Sequence, residues 1–182
     1  MKVKMSYNSA KKLAEQIKTV LAPSCQRIEI AGSIRRQKKT VGDIEIICIP
    51  KYIEDMFGQQ YHSGLTVLDF TLRGLVESGR LQQPEKDGGK YKQFGIPAIK
   101  NLHLDLFITD QACWGVNYAI RTGPAKFSQR LVTQRWKGGL LPNTCHVYGS
   151  RLWKYSKRLK TPEEEDFLKI AGGWVEPEER CK

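Results

Sequence analysis

The chain has 182 residues, with 30 Lys and Arg against 19 Asp and Glu, a net charge of +11. Hydrophobic residues at 40% and charged residues at 27% are ordinary values for a folded protein and exclude wholesale disorder. No apolar run approaches the roughly 18 residues of a membrane-spanning helix, and the length suits one domain or two small subdomains sharing a core.

From 8 to 21, Ala10, Leu13, Ile17 and Val20 recur at three- and four-residue steps and predict an amphipathic helix that Pro23 stops. Residues 27–31 alternate polar and apolar, with Ile28 and Ile30 on one side, and predict a strand. Gly32-Ser33 opens a short segment that runs to Gly42, and 43–49 predict the next strand, closed by Pro50. Residues 65–77 suit a helix with Leu68, Leu72, Leu75 and Val76 on one side. Stretches 80–83 and 90–96 flank Asp87-Gly88-Gly89, a hairpin signal, and 101–109 predict a further strand around HLDLFIT. After Gln111 the chain turns basic and reads as loop-rich. Thr161-Pro162-Glu163 predicts a helix start, with a capping Thr, Pro at the first position and acids in the first turn. Gly172 and Gly173 end that helix. The expected fold class is α+β. A mixed or antiparallel sheet with flanking helices would fill residues 1–112, and a small basic α+β subdomain residues 113–182.

Cys25, Cys48, Cys113, Cys145 and Cys181 are odd in number and form no CxxC pair, which argues against a disulfide framework and a zinc knuckle. The N-terminus lacks the apolar core of a signal peptide, so a cytoplasmic location is expected, or the host cytoplasm for a phage or viral chain. His62 and His146 read as packing or surface residues.

The surplus of positive charge suggests a polyanionic partner, nucleic acid before membrane. Its distribution sharpens this. Between Cys113 and Lys160 lie ten Lys and Arg residues and no Asp or Glu, interleaved with seven aromatics. Lys126, Arg130, Arg135, Lys137, Arg151 and Lys154 are the candidates for a phosphate backbone, with the aromatics available to stack on bases.

Three carboxylates are the candidate chemical centre. Asp43 and Glu45 stand at i and i+2 of one predicted strand and so share a face. Two acids that close repel unless a cation lies between them. Asp105 lies on another predicted strand between Leu104 and Leu106, and would complete an oxygen cluster suited to Mg²⁺ or Mn²⁺ if the strands are neighbours. For the Asp43–Glu45 pair alone, an exposed acidic sheet face is the better explanation of the pattern, and the apolar flanks, which suit central strands, weaken it. Gly32-Ser33 follows a strand directly; Gly32 permits close backbone approach and Ser33 offers a hydroxyl to a phosphate. Arg35 and Arg36 suit a polyphosphate, and Gly42 precedes the acid pair. Strand, Gly-Ser, paired Arg, Gly and Asp-x-Glu together form an apparatus for phosphoryl or nucleotidyl transfer.

The run AGSIRRQKKTVGDIEIICIP at 31–50 resembles the signature of the DNA polymerase β-type nucleotidyltransferase superfamily, and more closely the DNA polymerase X family. KYKQFGI at 90–96, HLDLF at 103–107, RTGP at 121–124 with Phe127 following, and WVEPEER at 174–180 extend the resemblance along most of the chain. It implies a palm over 1–112 and a nucleotide-selecting, DNA-binding subdomain over 113–182, as in the smallest phage and viral members, without an amino-terminal lyase domain or lyase activity. Asp43 and Glu45 would hold two Mg²⁺ ions, with Mn²⁺ able to substitute. Asp105 would hold the catalytic ion and help activate a primer 3′-hydroxyl. Ser33 and Arg36 would bind the β- and γ-phosphates near the Gly32 and Gly42 backbones. Thr122 and Gly123 would lie against the sugar, and Phe127 and Ser128 near the base. Glu45 stands where the polymerases usually have Asp, Arg121 where an aromatic is usual, and His103 where an Arg beside the third acid is common.

The expected function is therefore template-directed gap-filling DNA synthesis. The partners would be a DNA primer-template or gapped duplex and a deoxynucleoside triphosphate, with no membrane and a monomeric chain. The same motif also serves transfer to an RNA end, a protein hydroxyl or a small molecule. A non-catalytic nucleic-acid-binding module is the third reading.

Overall fold

The computed structural model describes residues 4–53 and 64–181; His62 lies outside them. In chain order the elements of the first part are β1 (Met5–Ser6), α1 (Tyr7–Leu21), β2 (Cys25–Ile30), α2 (Gly32–Arg35), β3 (Thr40–Val41), β4 (Ile44–Pro50), α3 (Val67–Glu77), β5 (Pro84–Asp87), β6 (Tyr91–Gly95) and β7 (His103–Ile108). There follow α4 (Trp114–Thr122), α5 (Ala125–Val132), β8 (Cys145–Tyr148), β9 (Arg151–Lys154), β10 (Lys157–Leu159) and α6 (Glu164–Ile170). The fold is α+β. Two compact units divide the chain: residues up to Ile30 together with Lys39–Ile108, and Ala31–Lys38 together with the chain from Thr109 onward. The segment Ala31–Lys38, which follows β2 directly, thus belongs with the C-terminal residues, and the division falls at Ile108, four residues before position 112.

The first unit holds a mixed five-stranded sheet in the order β2-β4-β7-β6-β5. β4 and β7 run parallel, and the other neighbours are antiparallel. Ile44, Ile46, Ile47, Cys48 and Ile49 of β4 are all buried, as a central strand covered on both faces requires. α1 starts where Ser6 Oγ accepts the Ser9 amide, 3.3 Å away. It packs on β2 and β4 through Ala10 and Ala14, small residues that allow close approach, and Leu21, while Val20 is exposed. α3 begins two residues later than its periodicity predicts, because Thr66 and Asp69 form a reciprocal capping box. Its exit uses Gly79 at φ +71, with the Arg80 and Leu81 amides folding back on the Leu75 carbonyl. The hairpin's first strand therefore lies at 84–87 instead of 80–83.

The second unit differs most from the reading of a loop-rich segment. It carries α4, α5, α6 and a three-stranded antiparallel sheet, β10-β9-β8, around Val116, Ala119, Leu131, Leu141, Cys145, Leu152, Phe167, Leu168 and Ala171. Each element is short and supplies at most two of these residues, so the basic outward faces obscure the periodicity. α6 is capped by Glu163 and Asp166, not by Thr161. Thr161 is fully buried, with its amide donating to the Ala112 carbonyl and its carbonyl accepting from the Gly115 amide.

Glu164 anchors this unit. Its carboxylate accepts from Arg35 Nη1 and Nη2 at 3.0 and 2.6 Å and from Arg180 Nη1 at 2.7 Å. Arg35 also donates to Thr122 Oγ1 at 2.6 Å and lies 3.7 Å over the Tyr118 ring. Arg180 is fully buried and donates through Nε to the Val175 carbonyl. Removing one member of such a network leaves uncompensated buried charge. Glu164→Gln is expected to lower the unfolding free energy by about 3–5 kcal/mol, read as a shifted urea midpoint at unchanged slope.

In the first unit, Lys92 is nearly buried and bonds Asp69 at 3.1 Å and Asp87. Burial would raise the Asp69 pKa, but hydrogen bonds from the Thr66 hydroxyl and amide and from Lys92 outweigh it and hold the carboxyl below its ordinary value. A carboxyl with a depressed folded-state pKa stabilises above its unfolded pKa, and that stability is lost as the pH falls through the folded value. Asp69→Asn is expected to destabilise by about 1–3 kcal/mol near neutrality. In acid titrations followed by urea unfolding, the gap to the natural protein should close as the pH drops below about 4.

Candidate functional site

The parallel register of β4 and β7 pairs Glu45 with Asp105. Ile44 and Ile46 on one strand and Leu104 and Leu106 on the other are fully buried, so alternation turns Glu45 and Asp105 together to the opposite face. Both acids are half-buried on adjacent strands. Asp43 lies one residue before β4, in the bend it shares with Gly42, and is likewise half-buried.

Two side chains of β6 that the sequence reading did not single out hold Asp105. Tyr91 Oη donates to Asp105 Oδ1 at 2.6 Å, and Gln93 Nε2 donates to the same oxygen at 2.8 Å. Gln93 is the register partner of Asp105, and the Tyr91 ring stacks on Phe107 at 5.1 Å and 16°. Lys86 Nζ lies 5.4 Å over that ring. The signal was present in the sequence as Tyr-x-Gln, an i, i+2 polar pair on a predicted strand. His103, beside the third acid in sequence, bonds Glu85 at 2.9 Å.

Among the described residues no three His, Cys, Asp or Glu side chains converge as a metal-binding group. What the register brings together is the Glu45–Asp105 pair. Its donors are hard carboxylate oxygens, two adjacent half-buried negative charges that a Mg²⁺ or Mn²⁺ ion would relieve, and in that chemistry they fit such an ion.

In the second unit, Gly32 takes φ +60 as the chain enters α2, a conformation that glycine adopts without strain. Ser33 Oγ and Arg36 Nε are buried and have no hydrogen-bond partner among the described residues. Buried polar atoms are usually satisfied; Trp153 Nε1, Arg158 Nε and Arg180 Nη2 share this state with Ser33 and Arg36. Arg36 also bonds the Thr122 carbonyl through Nη1. Arg35, which the sequence reading offers to a phosphate together with Arg36, is instead engaged by Glu164, Thr122 and Tyr118.

Thr122 is fully buried, and its hydroxyl is taken by Arg35. Gly123 caps α4 so tightly that a Cβ would stand 2.6 Å from Ser128 Oγ and 2.8 Å from Phe127 Cδ1. Ser128 Oγ donates to the Ile120 carbonyl at 2.6 Å, and Phe127 is half-buried with Arg180 5.8 Å over its ring. Lys126, Arg130, Arg135, Lys137, Arg151 and Lys154 are all exposed. Lys126, Arg130 and Lys137 line one concavity of about 300 Å³ with Gln129, Thr133 and Gly138.

A cavity of about 490 Å³ in the first unit is lined by Asp69, Asp87, Lys92 and Phe94 among others, and contains none of the predicted site residues. No helix among the described residues is long and apolar enough to cross a membrane. No protein-family model matches the chain, and no similar curated protein is found.

Proposed function

We propose that this chain is a nucleotidyltransferase of the DNA polymerase X type, a minimal palm with a nucleotide-selecting subdomain, which extends a primer 3′-hydroxyl from a deoxynucleoside triphosphate. The observation that carries the reading is the register pairing of Glu45 with Asp105, with Asp43 at the head of the same strand. The orphaned Ser33 Oγ and Arg36 Nε support it independently, since a phosphate oxygen is the acceptor that both lack. The acid-free basic stretch favours a polynucleotide as the acceptor.

Two divalent ions would lower the pKa of the attacking hydroxyl and neutralise the leaving pyrophosphate. Asp43, Glu45 and Asp105 would hold them. Tyr91 and Gln93 fix Asp105 Oδ1, so its carboxylate is oriented before substrate arrives. Ser33 Oγ and Arg36 Nε donate to the β- and γ-phosphates, and Gly32 lets the backbone approach them. The primer oxygen attacks the α-phosphorus, the bond to the β-phosphate oxygen breaks, and pyrophosphate departs. Exposed Lys126, Arg130, Arg135, Lys137, Arg151 and Lys154 grip the DNA backbone.

Primer extension with Mg²⁺ or Mn²⁺ on a one-nucleotide gap, an open primer-template and a single strand tests this. Addition of only the complementary nucleotide, best in the gap, is expected. Loss of several kcal/mol of transition-state stabilisation in Asp43→Asn or Asp105→Asn should slow it about a thousandfold. No incorporation on any substrate by folded, metal-supplied protein would overturn the reading; untemplated addition would make it a terminal transferase.

The hydrogen bonds to Asp105 make a separate prediction. Tyr91→Phe and Gln93→Leu should each weaken Mn²⁺ binding, followed by electron paramagnetic resonance, by about 10–100-fold. The phenylalanine preserves the ring stack on Phe107, so the melting temperature of Tyr91→Phe should stay near that of the natural protein.

A further inference from the structure

The three-stranded sheet of the second unit has one face in the core, through Val147, Leu152 and Leu159. Its other face carries a pattern of a different kind. The registers align His146, Trp153 and Arg158 in one row across β8, β9 and β10, and Tyr148 with Arg151 in the next. The His146 and Trp153 rings are parallel within 8°, with centroids 6.4 Å apart. Tyr148 is 76% exposed, and Tyr155, in the turn after β9, is 69% exposed. Lys154 and Lys157, register partners at the end of the sheet, have the parity of the core-facing Leu152 and Leu159 and are exposed beyond the core.

Neither folding nor solubility asks for these rings to be outside. A large aromatic side chain contributes to stability by being buried, and Tyr148 contributes almost nothing in that way. Its register partner is a cation, and the neighbouring row places a second cation beside a ring pair. Asp110 is the acid that meets this face, 3.9 Å from Arg151 and 3.7 Å from Arg158. From 113 to 160 the chain supplies no other. Flat rings interleaved with guanidinium groups suit unpaired bases on a phosphodiester chain.

We propose that this face binds a single-stranded stretch of nucleic acid, stacking bases on Tyr148 and the His146–Trp153 pair and holding the backbone at Arg151 and Arg158. The inference rests on the nucleic-acid reading given under Proposed function for its class of partner, but not on any catalytic step. In a templated reaction the occupant would be the unpaired template beyond the primer end.

Fluorescence anisotropy of the full chain with a labelled oligo-dT and with a blunt duplex of equal length, at one low salt concentration, tests it. Tyr148→Ala is expected to weaken oligo-dT binding about five- to tenfold, with Tyr148→Phe within about twofold of the natural protein and the duplex affinity of Tyr148→Ala unchanged. Both positions are exposed, and an unshifted melting temperature confirms folding. The proposal is overturned if Tyr148→Ala and His146→Ala bind oligo-dT like the natural protein, if only duplex binds, or if polyglutamate displaces oligo-dT as well as unlabelled oligo-dT does. The last outcome would point to an acidic protein segment. Binding of neither nucleic acid would overturn the nucleic-acid reading itself.

Discussion

A single buried carboxylate organises the second unit. Glu164 is almost inaccessible and faces two guanidinium groups, one from α2 and one from the C-terminal turn. Two cations on one anion leave a positive charge in the interior. The Tyr118 face under Arg35 and the Phe127 and Trp174 rings near Arg180 present the negative faces of aromatic systems to it. Such networks are rarely the most stabilising way to fill a core, but one bonded at this many points admits few alternative arrangements. Its members come from positions 35, 122, 164 and 180, so it closes the unit's longest loops in sequence. It also has a local effect. Arg35 is committed to Glu164, and its neighbour Arg36 is tied to the Thr122 carbonyl by one nitrogen, while its Nε and the Ser33 hydroxyl are among the buried groups that have no hydrogen-bond partner among the described residues. The salt-bridge network thus flanks the segment that carries Ser33 and Arg36 and fixes its backbone.

In the first unit the equivalent constraint is hydrophobic. Alternation along β4 and β7 buries Ile44, Ile46, Leu104 and Leu106, and a slip of one residue would drive Glu45 or Asp105 into that layer. The pairing of the two acids is therefore a consequence of apolar burial on the far side of the sheet. The same alternation on β6 buries Lys92 and Phe94 on one side and presents Tyr91 and Gln93 to Asp105 on the other. Lys92 is tolerated among apolar neighbours because Asp69 and Asp87 both bond it.

This explains what the sequence made legible. Strands β2, β4 and β7 and helices α1 and α3 carry enough apolar periodicity to be read directly, and Glu45 and Asp105 follow because period-two alternation fixes their side of the sheet. Three features were not legible. The start of α6 moved because Thr161, a good cap in isolation, is consumed by backbone bonds to Ala112 and Gly115, a tertiary demand that local chemistry does not show. The second unit's helices and sheet were obscured because each contributes so few core residues among so many cations. Arg35 and Arg36, adjacent and identical in type, have opposite fates, decided by a carboxylate 129 positions away from Arg35.

The aromatics of the acid-free stretch make the same point about composition. Seven lie there, and composition treats them alike. Trp114 is fully buried and Tyr118 lies beneath a guanidinium, so these two belong to the interior. Trp136, Tyr148 and Tyr155 are 66%, 76% and 69% exposed. Those rings lie on the surface together with the flanking cations. The interior arginines, by contrast, share their charge with Glu164. The net charge of +11 is therefore a property of the surface, where it bears on what the chain meets in solution and very little on how the chain folds.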